Sequence, residues 1–214
     1  MKVPFLADLL RSDSMYICHN ITINNLTPIA SFLGMIGDPE LGGLSVVEFK
    51  RRQALHRSAE IVAMYDVRDF IQKSSQTYGY PNFINDAGGS LCELGEPDVI
   101  RQLAEDTLIL YLKPSEALLN QIIERSLVAP KPMYYQESFL DQVLPLYLAE
   151  NSLDGPEQID PGDYFRWMFP LLVEHRLPLY EAIAQEYGVV VEADRVDDIK
   201  GEDDFLELVA AGLG

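Results

Sequence analysis

The sequence predicts an α/β fold: a parallel sheet with flanking helices and one helical insertion. Three observations carry that expectation. Apolar, strand-like runs at 107–112 and 189–192 fit strands of a parallel sheet, and the first, near-continuous run is what a strand covered on both faces needs. Stretches with apolar residues at helical spacing lie between and around these runs. Strand-like and helix-like segments also alternate along the chain, the order that crossover connections in a parallel sheet impose.

Residues 4–11 predict a short helix with Pro4 in its first turn. Residues 14–23, rich in β-branched and aromatic side chains, predict a strand, and a short helix is expected inside 24–43. Ser45 and Glu48 form a capping-box pattern. It opens a helical stretch to about residue 75, unbroken by Pro or Gly and long enough to need a kink or two helices in succession. This stretch, 45–77, is the expected insertion. Pro81 introduces a strand at 82–85 that ends in Asp86-Ala87-Gly88-Gly89, and a helix is expected at 96–105. Ser115 caps the next helix, which carries Leu118, Leu119, Ile122 and Ile123 on one face. Residues 129–136 and 151–162 predict irregular structure within a lid-like region, 126–162. Asp160 followed by Pro161 is a helix start. The helix it opens is expected to run to about 188 with a break at Pro170 or Pro178. A strand at 189–192 and a helix at 203–211 close the chain. No internal repeat or low-complexity linker divides it, so one domain, 1–214, is expected.

With 214 residues and 48% hydrophobic content, the chain is long enough for one well-buried core. No apolar run approaches the roughly 20 residues that span a bilayer, and Asp8, Arg11 and Asp13 interrupt the amino-terminal patch before it reads as a signal peptide. Cys18 and Cys92 are expected to be buried, reduced thiols of a cytoplasmic protein. The net charge of −18 is unevenly spread. From Glu137 onward eighteen acidic residues face four basic ones, whereas between Ser45 and Lys73 six basic residues outnumber four acidic ones. Such an acidic surface disfavours nucleic-acid partners. The local basic stretch suits either a small anion held in a cleft or a solvated helix face.

In open parallel sheets ligands bind beyond the carboxyl ends of the strands. Asp86 stands at such a position, beside the small residues Gly88 and Gly89. It suits either a magnesium-side carboxylate or an Asx-turn. Arg125 near a helix end and Lys131 in a Pro-rich loop suit either phosphate neutralisation or dipole complementation. Arg176 suits an exposed ion pair with Glu174 or Glu181. His19, His56 and His175 lack metal-ligand spacing, no G-x-S-x-G elbow occurs, and Cys92 has no positioned base. The aromatic groups at 133–139 and 164–169 suit packing or a lid.

Taken in order, PNFINDAGGS (81–90), DTLILYLKPSEALLNQIIERS (106–126) and HRLPLYEAIAQEYGVVVEAD (175–194) resemble the later part of the shikimate and adenylate-type P-loop kinases. The resemblance covers roughly residues 80–195. It implies a P-loop kinase-like sheet and ATP with Mg²⁺ as cofactors. It also implies Asp86 as the metal-side acid, Gly88 and Gly89 as the glycine turn, and Arg125 with Lys131 at the lid. Arg176 then meets phosphate or substrate, and Arg51, Arg52 and Arg57 are available to a small anionic acceptor. The first strand and the G-x-x-x-x-G-K-S/T loop of that family are not found. Gly37 to Gly42 has the glycine spacing but no Lys, and Asp38 and Glu40 would repel a triphosphate. Either the chain begins downstream of that segment, or it keeps the fold and has lost nucleotide chemistry. Weak or no nucleotide turnover is expected in both cases. The rival expectation is a non-catalytic interaction module, able to form a homodimer, that docks partners on the 45–75 helix and the acidic carboxyl-terminal lobe.

Overall fold

Capping chemistry sets most of the helix boundaries in the computed structural model, which describes residues 27–213. The expected helix at 4–11 and strand at 14–23, with Cys18 and His19, lie outside the described residues. Helix α1 (Thr27–Leu33) ends at Gly34, whose φ of 64° is open to glycine. The loop that follows is a closed backbone turn. Gly43 donates to the Asp38 carbonyl, the Asp38 carboxylate accepts from the Glu40 amide, and a Cβ on Gly43 would collide with the backbone of Gly37. The glycines of this G-x-x-x-x-G pattern serve chain reversal.

Helix α2 (Val46–Tyr65) starts as expected, with the Ser45 hydroxyl accepting from the Glu48 amide at 3.3 Å. The other half of the capping box does not form. Glu48 turns instead to Arg51 and Arg52, at 2.7 Å each, because charged donors outcompete a backbone amide. Those guanidinium groups hold its carboxyl down at about 2. After Asp66, α3 (Val67–Tyr78) continues to Gly79, so the long helical stretch is two helices in succession.

No strand forms at 82–85. Pro81 supplies no amide to a ladder, and Ile84 is 86% exposed with no sheet to cover it, while Phe83 packs with Val67, Val99 and Leu103. A 3₁₀ turn (Leu91–Glu93) leads to α4 (Pro97–Asp106), β1 (Ile109–Lys113), α5 (Glu116–Val128) and α6 (Glu137–Glu150). Ser115 caps α5 by accepting from the Leu118 amide. Helix α7 (Pro161–Tyr187) is continuous, so the break expected at Pro170 or Pro178 is absent. An interior proline costs about 3 kcal/mol. Phe165, Met168, Phe169 and Leu172 are all buried around Pro170, and each contributes about 1.5–3 kcal/mol. Packing outweighs the missing hydrogen bond. Strand β2 (Gly188–Glu192) and α8 (Glu202–Gly212) complete the chain.

The described chain is therefore mostly helical, α/β in the coarse sense, with a two-stranded parallel sheet. Register runs from Ile109↔Gly188 to Lys113↔Glu192. Val189 and Val191 pack with Leu110 against Leu208 of α8 on one face. On the other, Ile109 joins Val99 and Leu103, and Tyr111 stacks on Tyr180 of α7 at 5.4 Å. The main core is aromatic. Phe49, Tyr135, Phe139, Tyr147, Tyr164, Phe165 and Phe169 fill the space where α2, α6 and α7 meet. Among the described residues no helix is long and apolar enough to cross a membrane.

Candidate functional site

Only three polar side chains are buried among the described residues, Gln53, His56 and Glu93, and they mark one region. It lies where α2 passes the 91–96 segment, the irregular stretch 129–136 and the middle of α7. Gln53 explains its own burial. Its amide donates to the Met133 carbonyl and accepts from the Tyr135 amide, both at 3.2 Å, pairing with an extended backbone as a strand would.

Glu93 is fully buried and fully satisfied. One carboxylate oxygen accepts from the Gln136 amide at 3.2 Å, and the other from Arg176, whose Nε stands 2.5 Å away and whose Nη2 pairs with it as well. Nη2 of Arg176 also donates to the Tyr134 carbonyl at 2.6 Å, while the Gln136 side chain donates to the Glu93 carbonyl. Arg57 grips the same segment through the Leu94 carbonyl at 2.7 Å and the Glu96 carboxylate at 2.8 Å. The result ties α2, the 91–96 turn, the 134–136 backbone and α7 into one knot.

The Gly88-Gly89 turn crosses above it. The Tyr180 hydroxyl donates to the Gly89 carbonyl. A Cβ added at Gly89 would lie 3.3 Å from that hydroxyl and 3.8 Å from Arg176, and one at Gly88 would lie 3.9 Å from the Glu60 carboxylate. Glu60 sits one helical turn from His56, 3.7 Å away, and His56 rests on the Tyr134 ring.

Burial decides the protonation states. It pushes His56 down to about 4, so the imidazole is neutral at pH 7, and it raises Glu60. It drives the Cys92 thiol up to about 11, against an opposing pull from Arg176, and the Tyr134 hydroxyl up to about 12. At neutral pH the knot therefore offers no thiolate nucleophile. The charge of Arg176 is matched by Glu93. The arrangement clamps backbone segments together.

Of the residues expected from sequence, Arg176, Gly88 and Gly89 converge here, and Arg57 joins them through the 94–96 backbone. Arg176 pairs with Glu93 and not with Glu174 or Glu181. Asp86 is exposed and makes no hydrogen bond or ion pair among the described residues. No group of three His, Cys, Asp or Glu side chains gathers to hold a metal among those residues, so Asp86 has no ligand set around it. Arg125 is exposed on the last turn of α5 without an ion-pair partner among the described residues. Lys131 is exposed beside a cavity of about 10 Å³, room for one water at most. Arg51 and Arg52 are held by Glu48, and Arg52 also donates to the Phe32 carbonyl. Among the described residues, Asp86, Arg125, Lys131, Arg51 and Arg52 make no hydrogen bond or ion pair with one another.

Sequence reasoning missed Glu93, Gln53, Glu60, Tyr134, Gln136 and Tyr180. A faint signal existed for two of them. Glu93 interrupts the apolar run Leu91-Cys92-Glu93-Leu94, and Gln53 lies one helical turn from Phe49 on the inward face of α2. No protein-family model, curated protein or solved structure matches the chain.

Proposed function

We propose that this chain is a non-catalytic binding module whose acidic carboxyl-terminal lobe docks a basic, amphipathic protein segment. The observation that supports it is the unequal pairing of charge. Nine of the fourteen described Lys and Arg side chains are ion-paired within the chain. Of the eighteen acidic residues from Glu137 onward, only Glu137, Asp141, Asp163 and Glu181 are so paired among the described residues. Some of the unmatched carboxylates lie on α8 beside exposed apolar side chains. Leu206 and Leu213 of the α8 segment are 55% and 64% exposed and seven residues apart, hence on one flank of the helix. Asp203, Asp204 and Glu207 lie beside them. An acidic field steers a cationic partner and apolar side chains anchor it.

The test is fluorescence anisotropy with a labelled 14-residue helical peptide of Lys and Leu against a control of Lys and Ser. The Leu peptide binds more tightly, added salt weakens it, and Leu206→Ser with Leu213→Ser lowers affinity about tenfold, equivalent to about 1.4 kcal/mol. Equal binding of both peptides sinks the proposal, leaving general charge attraction alone.

One observation favours a second reading, the P-loop kinase-like lineage with ATP and Mg²⁺. Strands in two of the three segments on which that resemblance rests, 109–113 and 188–192, are neighbours in a parallel sheet. On that reading Asp86 holds the metal and Arg176 leaves Glu93 to meet phosphate. Saturable heat on titration with Mg-ATP, lost in Asp86→Ala, favours it; no heat and no shift in melting temperature favours the docking module. A cytoplasmic location, with Cys92 kept as a free thiol, accompanies either reading.

A further inference from the structure

The outward face of α2 is built unlike a solvent face. An exposed helix surface ordinarily carries charge and keeps its apolar side chains inward. Helix α2 buries Phe49 and Ala59 together with Gln53 and His56 on its inner face, yet it also exposes Val47, Ala54, Val62 and Tyr65 on its outer one. Val47 is 80% exposed. The one charged residue in this stripe is Arg51, and its guanidinium is folded back onto Glu48 through bonds of 2.7 and 2.8 Å. The outward positions 47, 51, 54, 58, 62 and 65 follow the three-and-four spacing by which two helices pack along their length.

We infer that this face is a homodimer interface, in which α2 of one copy packs antiparallel on α2 of a second copy. Two features of the chain select that occupant. The first is self-complementarity. A two-fold axis passing between Ala54 and Ser58 sets Ala54 of one copy opposite Ser58 of the other, and Val47 opposite Tyr65. Slim residues meet where the axes are closest, and larger apolar ones close both ends. The second is charge. Two copies carrying −18 each repel over most of their surface. The stretch containing α2, with six basic residues against four acidic ones, is where they approach at least cost. Salt, which screens the overall repulsion, strengthens this dimer, whereas it weakens capture of a cationic peptide by the α8 lobe. The inference does not depend on the docking reading, and the opposite salt responses separate them.

Sedimentation velocity from 5 to 500 µM protein, at 50 and 500 mM NaCl, tests it. The expected result is a monomer–dimer equilibrium that shifts toward dimer at high salt. Ser58→Glu sets like charges near the axis and raises the dissociation constant at least tenfold, with an unchanged far-UV spectrum and melting temperature and unchanged peptide binding. Mixing Ala54→Cys chains with Ser58→Cys chains under mild oxidation gives a mixed disulfide in higher yield than either variant alone. A monomer at every concentration and salt, a dimer indifferent to Ser58→Glu, or preferential linkage of Ala54→Cys to itself each overturns the proposal.

Discussion

The knot at Glu93 and the lobe around α8 are both rich in carboxylates, yet the chain uses them in opposite ways. Glu93 is removed from water, and every oxygen it presents is met by Arg176 or by backbone. Around α8 the carboxylates stay exposed and mostly without an ion-pair partner among the described residues, beside apolar side chains that stay exposed. Burial turns a charge into a fastener, because leaving it unpaired is then costly. Exposure leaves the same group nearly free of structural consequence and available to a partner. The comparison predicts large stability effects and no binding effect at the knot, with the reverse at the lobe.

Glu93→Ala should show the largest effect. It strands the Arg176 charge in the interior, and breaking a buried pair in this way costs about 3–5 kcal/mol. Urea unfolding should place the variant at the edge of stability, while Glu93→Leu with Arg176→Met should recover most of the loss. A single variant within 1 kcal/mol of wild type would mean that water reaches the pair.

The next effect is a pH dependence. Because burial holds folded His56 near 4, the unfolded chain takes up its proton first as pH falls below about 6.5. Stability is therefore intact above that value and declines from pH 6.5 toward 4, by on the order of 3 kcal/mol from this group. Glu60 works in the opposite direction. Its raised pKa makes the folded form bind a proton earlier, which restores part of the loss. His56→Gln should thus gain on wild type as pH drops, read from denaturation midpoints at pH 7, 5.5 and 4.5. A constant difference across that range would show that folding leaves the His56 pKa unshifted, and a gain by wild type as pH drops would show His56 protonated in the fold and paired with Glu60.

Smaller still is Tyr180→Phe. It removes the hydroxyl bond to Gly89 and should cost about 1 kcal/mol, with faster amide exchange confined to 86–92. Leu206→Ser with Leu213→Ser closes the series. Both side chains are exposed, so thermal stability should stay within about 0.5 kcal/mol of wild type. A larger loss would assign these leucines to the core.

The same contrast explains what was legible in the sequence. Features fixed by near neighbours could be read: the Ser45 and Ser115 caps, the Asp160-Pro161 start, the strands expected at 107–112 and 189–192 that form at 109–113 and 188–192, and the acidity of the last third. Features fixed by distant partners could not. Arg176 stood out as an arginine on a helix, but its partner lies 83 positions away, and nothing local distinguishes that pairing from one with Glu174 or Glu181. The absent strand at 82–85 failed for a related reason. A leading proline suggested it, yet a strand needs an edge to join, and the described neighbours of this segment are helices and turns. The unbroken α7 shows tertiary packing overriding a local breaker.

The sheet carries a further consequence, for the order in which the molecule assembles. Its two strands are about eighty residues apart in sequence, and such long loops close late because their entropy is lost before the contacts form. β2 also starts where α7 ends, with no connecting loop, so its direction is inherited from a helix that must already be seated on the aromatic core. The helical body then folds first, and the β1–β2 pairing with α8 is added last and released first. Amide exchange at Val189 and Val191 should therefore run faster than at Phe165 or Phe169, marking the acidic lobe as a separately opening unit hinged on the end of α7.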